Sequence, residues 1–324
     1  MKLHWSVGVL LCLSAIGALG MTRHARKTSV NGVGWFDSFD DALTQARQEH
    51  KPILLLSMFG RLDEELPCAN ARTLRATLFK DPGFKQLVTR DVIPAWEEVR
   101  AVPHVTIDFG DGHKLTRTVR GNAVMYLCNS DGKVVDAYPG IYTPKDFMPA
   151  IHESIDKLTH TDAKHVIDYH EQRGSMIAVT ATTMSKAMVE SPTLNLIGAR
   201  PIPGVRTPIP PDQLDPARIN FLRAASRIND MSLTPMTPDE TVARITGQPM
   251  AMHEPAVLPQ EIIDRDSQVN MTRTRAVIHL WLGSEKALPT PEEARETVLE
   301  TILKIPYKDP YFGLRDVVLP GTPN

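Results

Sequence analysis

The chain reads as an α/β protein in which a β-α-β unit is followed by β-β-α on a mixed central sheet. A hairpin is inserted between the halves, and a mainly helical, proline-rich extension follows them. Three observations predict this. Ile53–Leu56 and Val124–Leu127 are short unbroken apolar runs, as expected of strands buried on both faces. Helix-start signals recur between and after them, at Ser38, Asp81-Pro82 and Thr143-Pro144. Seven of the 26 prolines fall in the single stretch Ser191–Pro216, which excludes regular structure there.

With 324 residues, the chain exceeds one average domain, so a core with an appended region is expected. A net charge of −2 gives no general electrostatic case for nucleic acid or an anionic membrane as partner. No glycine-rich phosphate loop, zinc-type cysteine cluster or Ser-His-Asp spacing emerges.

Residues 1–21 stand apart. Lys2 precedes the apolar stretch Trp5–Leu13, which continues through Ser14–Leu19 with small residues at Ala18 and Gly20. This pattern predicts a cleaved export signal and a periplasmic or extracellular protein. The alternative is an uncleaved membrane anchor formed by residues 5–21, consistent with Arg23, Arg26 and Lys27 just beyond it.

Ser38 caps a first helix that carries Asp40 and Asp41 in its first turn and Ala42, Leu43 and Ala46 on one face, ending near His50. The strand Ile53–Leu56 follows. Cys68–Leu78 is rich in helix formers, and Asp81-Pro82 restarts a short helix bearing Phe84, Leu87 and Val88. Asp91–Val99 is the next strand. Val105, Ile107 and Phe109 then alternate with polar residues up to the turn Gly110-Asp111-Gly112, predicting a hairpin. Val124–Leu127, the turn Asn129–Gly132 and Val134–Ala137 form two more strands. Thr143-Pro144 opens a helix with Phe147, Ile151, Ile155 and Leu158 on its inner face.

Gly34-Trp35, Ala42, Ala46 and Lys51-Pro52-Ile53-Leu54-Leu55, followed by Asp131-Gly132-Lys133, resemble exported thioredoxin-like domains. In that family a CxxC pair is commonly followed by F-x-D-P. Cys68 stands eleven residues before Phe79-Lys80-Asp81-Pro82, which puts it at the attacking-cysteine position and Ala71 at the resolving one. The resemblance covers residues 33–159, leaving 160–324 as the extension. Three departures are plain. Ala71 removes the intramolecular disulfide, Ala123 stands where the family has a proline with a cis peptide bond, and the segment Ser57–Pro67 is longer than the family's usual strand-to-cysteine loop and ends in Pro67 rather than an aromatic residue.

The resemblance implies thiol–disulfide exchange or thiol oxidation at Cys68, with protein thiols or disulfides as partners and no cofactor. Pro67, Ala69, Asn70, Ala71, Asn122 and Ala123 would line the substrate groove. A helix N-terminus favours thiolate, and Arg72, with Arg75, would offset the carboxylates of Asp63, Glu64 and Glu65. A non-catalytic thioredoxin-like binding or scaffold module is the alternative. A third reading is copper handling through Cys68 or Met252-His253. Cys128 is expected at the far end of its strand as a buried, inert thiol. His104 and His113, with Asp108 and Asp111, read as polar positions of an exposed hairpin rather than metal ligands.

In the extension, residues 163–173, Ala217–Asn229, Asp239–Thr246 and Thr272–Trp281 read as helices. Thr290-Pro291-Glu292-Glu293 starts another, with Val298, Leu299, Ile302 and Leu303 on its buried face. The apolar loop Tyr307–Leu314 is expected to pack against the core or a partner.

Overall fold

The computed structural model describes residues 25–174 and 260–315. The expectations for the N-terminal segment, for the proline-rich arm, for Ala217–Asn229 and Asp239–Thr246, and for Met252-His253 lie outside the described residues. The architecture is α/β. A six-stranded mixed sheet runs β1 (Lys27–Val30), β2 (Val33–Phe36), β4 (Ile93–Arg100), β3 (Ile53–Phe59), β7 (Ala123–Cys128), β8 (Val134–Pro139) from edge to edge. β4 pairs parallel with β2 and β3, and the other pairings are antiparallel. β5 (His104–Asp108) and β6 (Lys114–Thr118) form a separate hairpin.

Local chemistry sets most element ends. The Ser38 hydroxyl accepts from the Asp41 amide at the start of α1 (Phe39–Glu49), and left-handed His50 ends that helix. The Asp81 carboxylate accepts from the Phe84 amide, and Pro82 opens α3 (Pro82–Gln86). Thr143 caps α4 (Pro144–Leu158) in the same way. Asn31-Gly32, both at positive φ, make the tight turn between β1 and β2. That first hairpin is an addition to the sequence expectation.

The sheet is covered by apolar side chains. Trp35, Phe79, Phe84, Phe147 and Tyr138 form an aromatic row with successive centroid distances of 5.1, 5.0, 5.9 and 5.1 Å. Buried rings of this size contribute on the order of 2–3 kcal/mol each through burial. Ala42 and Ala46 let α1 lie close against β3 and β4.

Val166, Val277, Ile278, Trp281, Val298 and Leu299 of the extension pack into the same hydrophobic cluster, while Ile262 and Ile263 form a small separate one with Ile141. A helix covers residues 163–174 (α5). A second runs as α6 (Gln260–Val269), a wide turn (Asn270–Thr274) and α7 (Arg275–Leu282), starting earlier than the expected Thr272. The Thr290 capping box opens α8 (Pro291–Glu296), and its continuation Thr297–Ile302 buries Val298, Leu299 and Ile302. Among the described residues, no helix is long and apolar enough to cross a membrane.

The α6–α7 helix lies along the free edge of β8 and the loop beyond it, and its side chains take the place of a next strand. Ser267 Oγ accepts from the Thr143 amide at 2.9 Å, and Asn270 Nδ2 donates to Ile141 O at 2.9 Å. Arg275 Nη1 donates to Ala137 O at 2.9 Å, and His170 Nε2, from α5, donates to Val135 O at 2.8 Å. Gly140, at φ +92, admits Asn270, because a Cβ there would lie 2.5 Å from its Nδ2.

Asp136 and Arg275 anchor this seam, Asp136 fully enclosed and Arg275 6% exposed. They pair through two hydrogen bonds, Nη1 to Oδ1 and Nη2 to Oδ2, the latter 2.8 Å. Ser154 donates to the same carboxylate at 2.6 Å, the Ala137 amide at 2.8 Å, and Arg275 stacks 4.1 Å from the Tyr138 ring centre. Burial alone would push the Asp136 carboxyl up. The Arg275 charge and hydrogen bonds hold it far below the usual range instead.

Arg275→Met should destabilise the protein by about 3–5 kcal/mol in urea titrations, because it leaves a buried carboxylate without its partner. Asp136→Asn in that background should restore part of the loss. Since Asp136 is ionised below its ordinary pKa, its contribution is present above about pH 4 and lost as pH falls. The wild type should therefore lose stability on acidification more steeply than the double variant. A double variant no more stable than Arg275→Met would contradict the pairing.

Candidate functional site

The sequence points to the end of β3, where the chain crosses into α2 (Ala69–Ala76). β3 runs through Phe59, a loop of residues 60–67 follows, and Cys68 is the residue before the first helical turn. The Cys68 amide donates to Phe59 O at 3.0 Å, and its carbonyl accepts from the Arg72 amide at 3.1 Å. Arg75 Nη1 fastens the loop to the helix by donating to Leu62 O at 2.9 Å and Glu64 O at 2.7 Å. Arg75 is thus occupied with the loop, and the nearby Asp63 carboxylate pairs with Arg61 at 2.9 Å.

The expected groove residues do converge. Cys68 Sγ donates to Asn122 O at 3.3 Å, Asn70 Nδ2 to Asn122 Oδ1 at 2.6 Å, and the Ala123 amide to the same Oδ1 at 2.8 Å. The Asn122–Ala123 peptide is trans. Gly121, at φ +95, lies so close that a Cβ on it would sit 2.9 Å from Cys68 Cβ and 3.2 Å from Phe59 Cβ. Backbone is therefore packed directly on the sulfur-bearing side chain.

What forms is a closed contact. Cys68 has no exposed surface, and Pro67, Ala69, Ala71, Arg72 and Ala123 are buried around it. Asn70, Gly121 and Asn122 are half-buried, so the amide pair is the accessible part of the cluster. From the C-terminal loop, Phe312 packs edge-on against Phe59 at 5.0 Å, held by Arg120 Nη1 donating to Phe312 O at 3.2 Å and by Arg100 donating to Tyr307 O and Asp309 O.

This burial reverses the expected bias of the sulfur. Loss of solvation pushes the Cys68 thiol above its ordinary pKa, outweighing the backbone groups of Ala71, Phe59 and Asn70 and the Arg72 charge, all of which pull it down. The S–H bond to Asn122 O acts in the same direction as burial, because a carbonyl oxygen accepts from a thiol and repels a thiolate.

The other candidates resolve simply. Cys128 pairs in register with Ile53, at the opposite end of β7 from Asn122, and is buried and free. Burial raises its pKa strongly. His104 Nε2 contacts Leu66 O at 3.3 Å, and His113 pairs with Asp111 at 3.0 Å. Among the described residues, no three His, Cys, Asp or Glu side chains converge to hold a metal ion.

Sequence reasoning missed Phe59 and Gly121, which pack at Cys68, whereas the expected packing of the loop Tyr307–Leu314 on the core is seen in Phe312 against Phe59. It also missed the polar cluster at β8, where His170 and His279 meet Nδ1 to Nδ1 at 2.7 Å. Val135 O can only accept, so His170 carries its proton on Nε2 and its Nδ1 accepts from His279. Burial lowers the pKa of both imidazoles and keeps them neutral.

Because the Cys68 pKa is raised on folding, its contribution to stability is full below about pH 8.5 and is lost as pH rises through the folded value. Urea midpoints measured from pH 7 to 10 should fall, and Cys68→Ala should flatten part of that fall. An unchanged slope in the variant would contradict the burial of the thiol.

Compared with known proteins, the chain gives no match: no family model fits it, and neither a curated protein nor a solved structure matches it.

Proposed function

We propose that residues 33–159 form a thioredoxin-like domain that serves as a non-catalytic binding or scaffold module, completed by the C-terminal helices. The strand order β2-β4-β3-β7-β8 supports the thioredoxin-like reading, as does the placement of Cys68 before α2 and opposite the start of β7. The observation that carries the non-catalytic reading is the complete enclosure of the Cys68 sulfur. A sulfur without access to a partner, and with its proton stabilised, has neither the geometry nor the charge state for nucleophilic attack at neutral pH. Ala71 supplies no second sulfur. The module is exported, consistent with the apolar segment at residues 5–19, and its partners are proteins engaged by surface complementarity.

One observation favours a second reading. Cys68 retains helix-start amides and the neighbouring Arg72, which would lower its pKa once local opening admitted water. A monothiol of this kind would attack a partner disulfide and release the partner's other sulfur as thiolate.

Acid-quenched, alkylated extracts of cells producing the wild type and Cys68→Ser separate the two. The module reading predicts the same protein partners for both and no reductant-sensitive adduct on the wild type. Adducts that are present on the wild type and absent from Cys68→Ser would establish the monothiol instead.

A further inference from the structure

The β5–β6 hairpin carries its apolar residues on its outer surface. Val105, Ile107 and Phe109 are 41%, 50% and 59% exposed, and by strand alternation Val105 and Ile107 share one face. The opposite face holds His104, Thr106, Thr116 and Thr118. His104 touches Leu66 O there, and Thr118 is buried. The polar face is thus turned to the body at its base and the apolar one away from it. A two-stranded ribbon gains no core from that arrangement, so the face is suited to an external apolar phase. Near the tip, Asp108 pairs with Lys114 Nζ at 3.0 Å, and Asp111 lies 3.0 Å from His113 Nδ1 and accepts from the His113 amide at 3.0 Å. That pairing lowers the cost of bringing the tip to a low-dielectric boundary.

The position of the hairpin specifies the occupant. β4 leaves the sheet at Arg100 and enters the hairpin at His104, against the loop of residues 60–67. β1 runs antiparallel to β2, and β2 runs parallel to β4. Followed backwards from Lys27, the chain therefore heads toward the same end of the sheet. Arg26 pairs there with Asp37 at 3.0 Å and acts electrostatically on Asp63 of the same loop. The 24 residues that precede Ala25, with their apolar run Trp5–Leu19 followed by Arg23, join the structure at the pole from which the hairpin projects.

We infer that Val105, Ile107 and Phe109 form a membrane-contact surface that rests in the interface of the bilayer to which the N-terminal apolar segment tethers the chain. The occupant is phospholipid. The hairpin adds a shallow second contact that fixes the orientation of the module above the membrane. This inference takes residues 5–21 as the uncleaved anchor rather than a cleaved signal, and it does not depend on the reading of Cys68.

The test uses the full chain reconstituted in phosphatidylcholine–phosphatidylglycerol vesicles, with Cys12→Ser and an environment-sensitive dye on Phe109→Cys. Cys68 and Cys128 are buried, which directs labelling to the new site. The same dye on Lys164→Cys, on exposed α5, is the reference. The inference predicts blue-shifted emission at 109 that is quenched by brominated acyl chains, an unquenched signal at 164, and loss of the shift in Ile107→Asp. Equal emission and quenching at both positions would overturn it. So would a shift at 109 that grows with protein concentration without lipid, since that marks a second copy as the occupant. A mature cell-made chain that starts after residue 20 and stays off membranes would also overturn it.

Discussion

The fold depends on one buried ion pair, Asp136 with Arg275, set between the last strand and the C-terminal helix. Enclosing two charges costs several kcal/mol per ion, and this cost is met only when every remaining lone pair and donor has a partner. Here the carboxylate receives two guanidinium hydrogen bonds, the Ser154 hydroxyl and the Ala137 amide. The guanidinium also serves Ala137 O and stacks on Tyr138. The pair fixes the register of the long helix against β8, and Ser267, Asn270 and the His170–His279 pair follow from that register. With the helix in place but these side chains removed, outward backbone groups of β8 would be buried unpaired, at about 1–3 kcal/mol each. The C-terminal helices therefore complete the sheet and share its core.

The same completion governs Cys68. Helix geometry offers the sulfur amides and a nearby cation, while packing withdraws water from it, and desolvation is the larger effect. The withdrawal comes from elements far apart in the chain, the end of β3 at Phe59 and the sharp turn at Arg120-Gly121, with Phe312 of the C-terminal loop packed on Phe59. The arrangement suits a domain that binds through its surface and uses its cysteine as a small apolar filler.

What was legible in the sequence is what local chemistry decides. Ser38, Asp81-Pro82, Thr143-Pro144 and the Thr290 capping box announce helix starts, because a cap is satisfied within three residues. The approach of Cys68 to Asn122 was also legible, through the resemblance that set Cys68 eleven residues before Phe79 and Asn122-Ala123 at the start of the strand before Asp131-Gly132. The thiolate expectation failed because burial is non-local, and nothing near Cys68 announces Gly121 or Phe312. The Asp136–Arg275 pair joins residues 139 apart, and each looks locally like a charge misplaced in an apolar run. Such misplaced charges were the available signal. The Asn31-Gly32 turn between Val30 and Val33 is a second such signal, a short-range hairpin mark.

The enclosure and protonation of Cys68 in the native protein can be read from thiolate absorbance near 240 nm against pH for the wild type, with Cys68→Ala subtracted. No Cys68 thiolate signal should appear through neutral pH, and the signal should rise only above the ordinary thiol range of about 8.5 or on unfolding. A thiolate band that titrates below that value in the folded protein would contradict both.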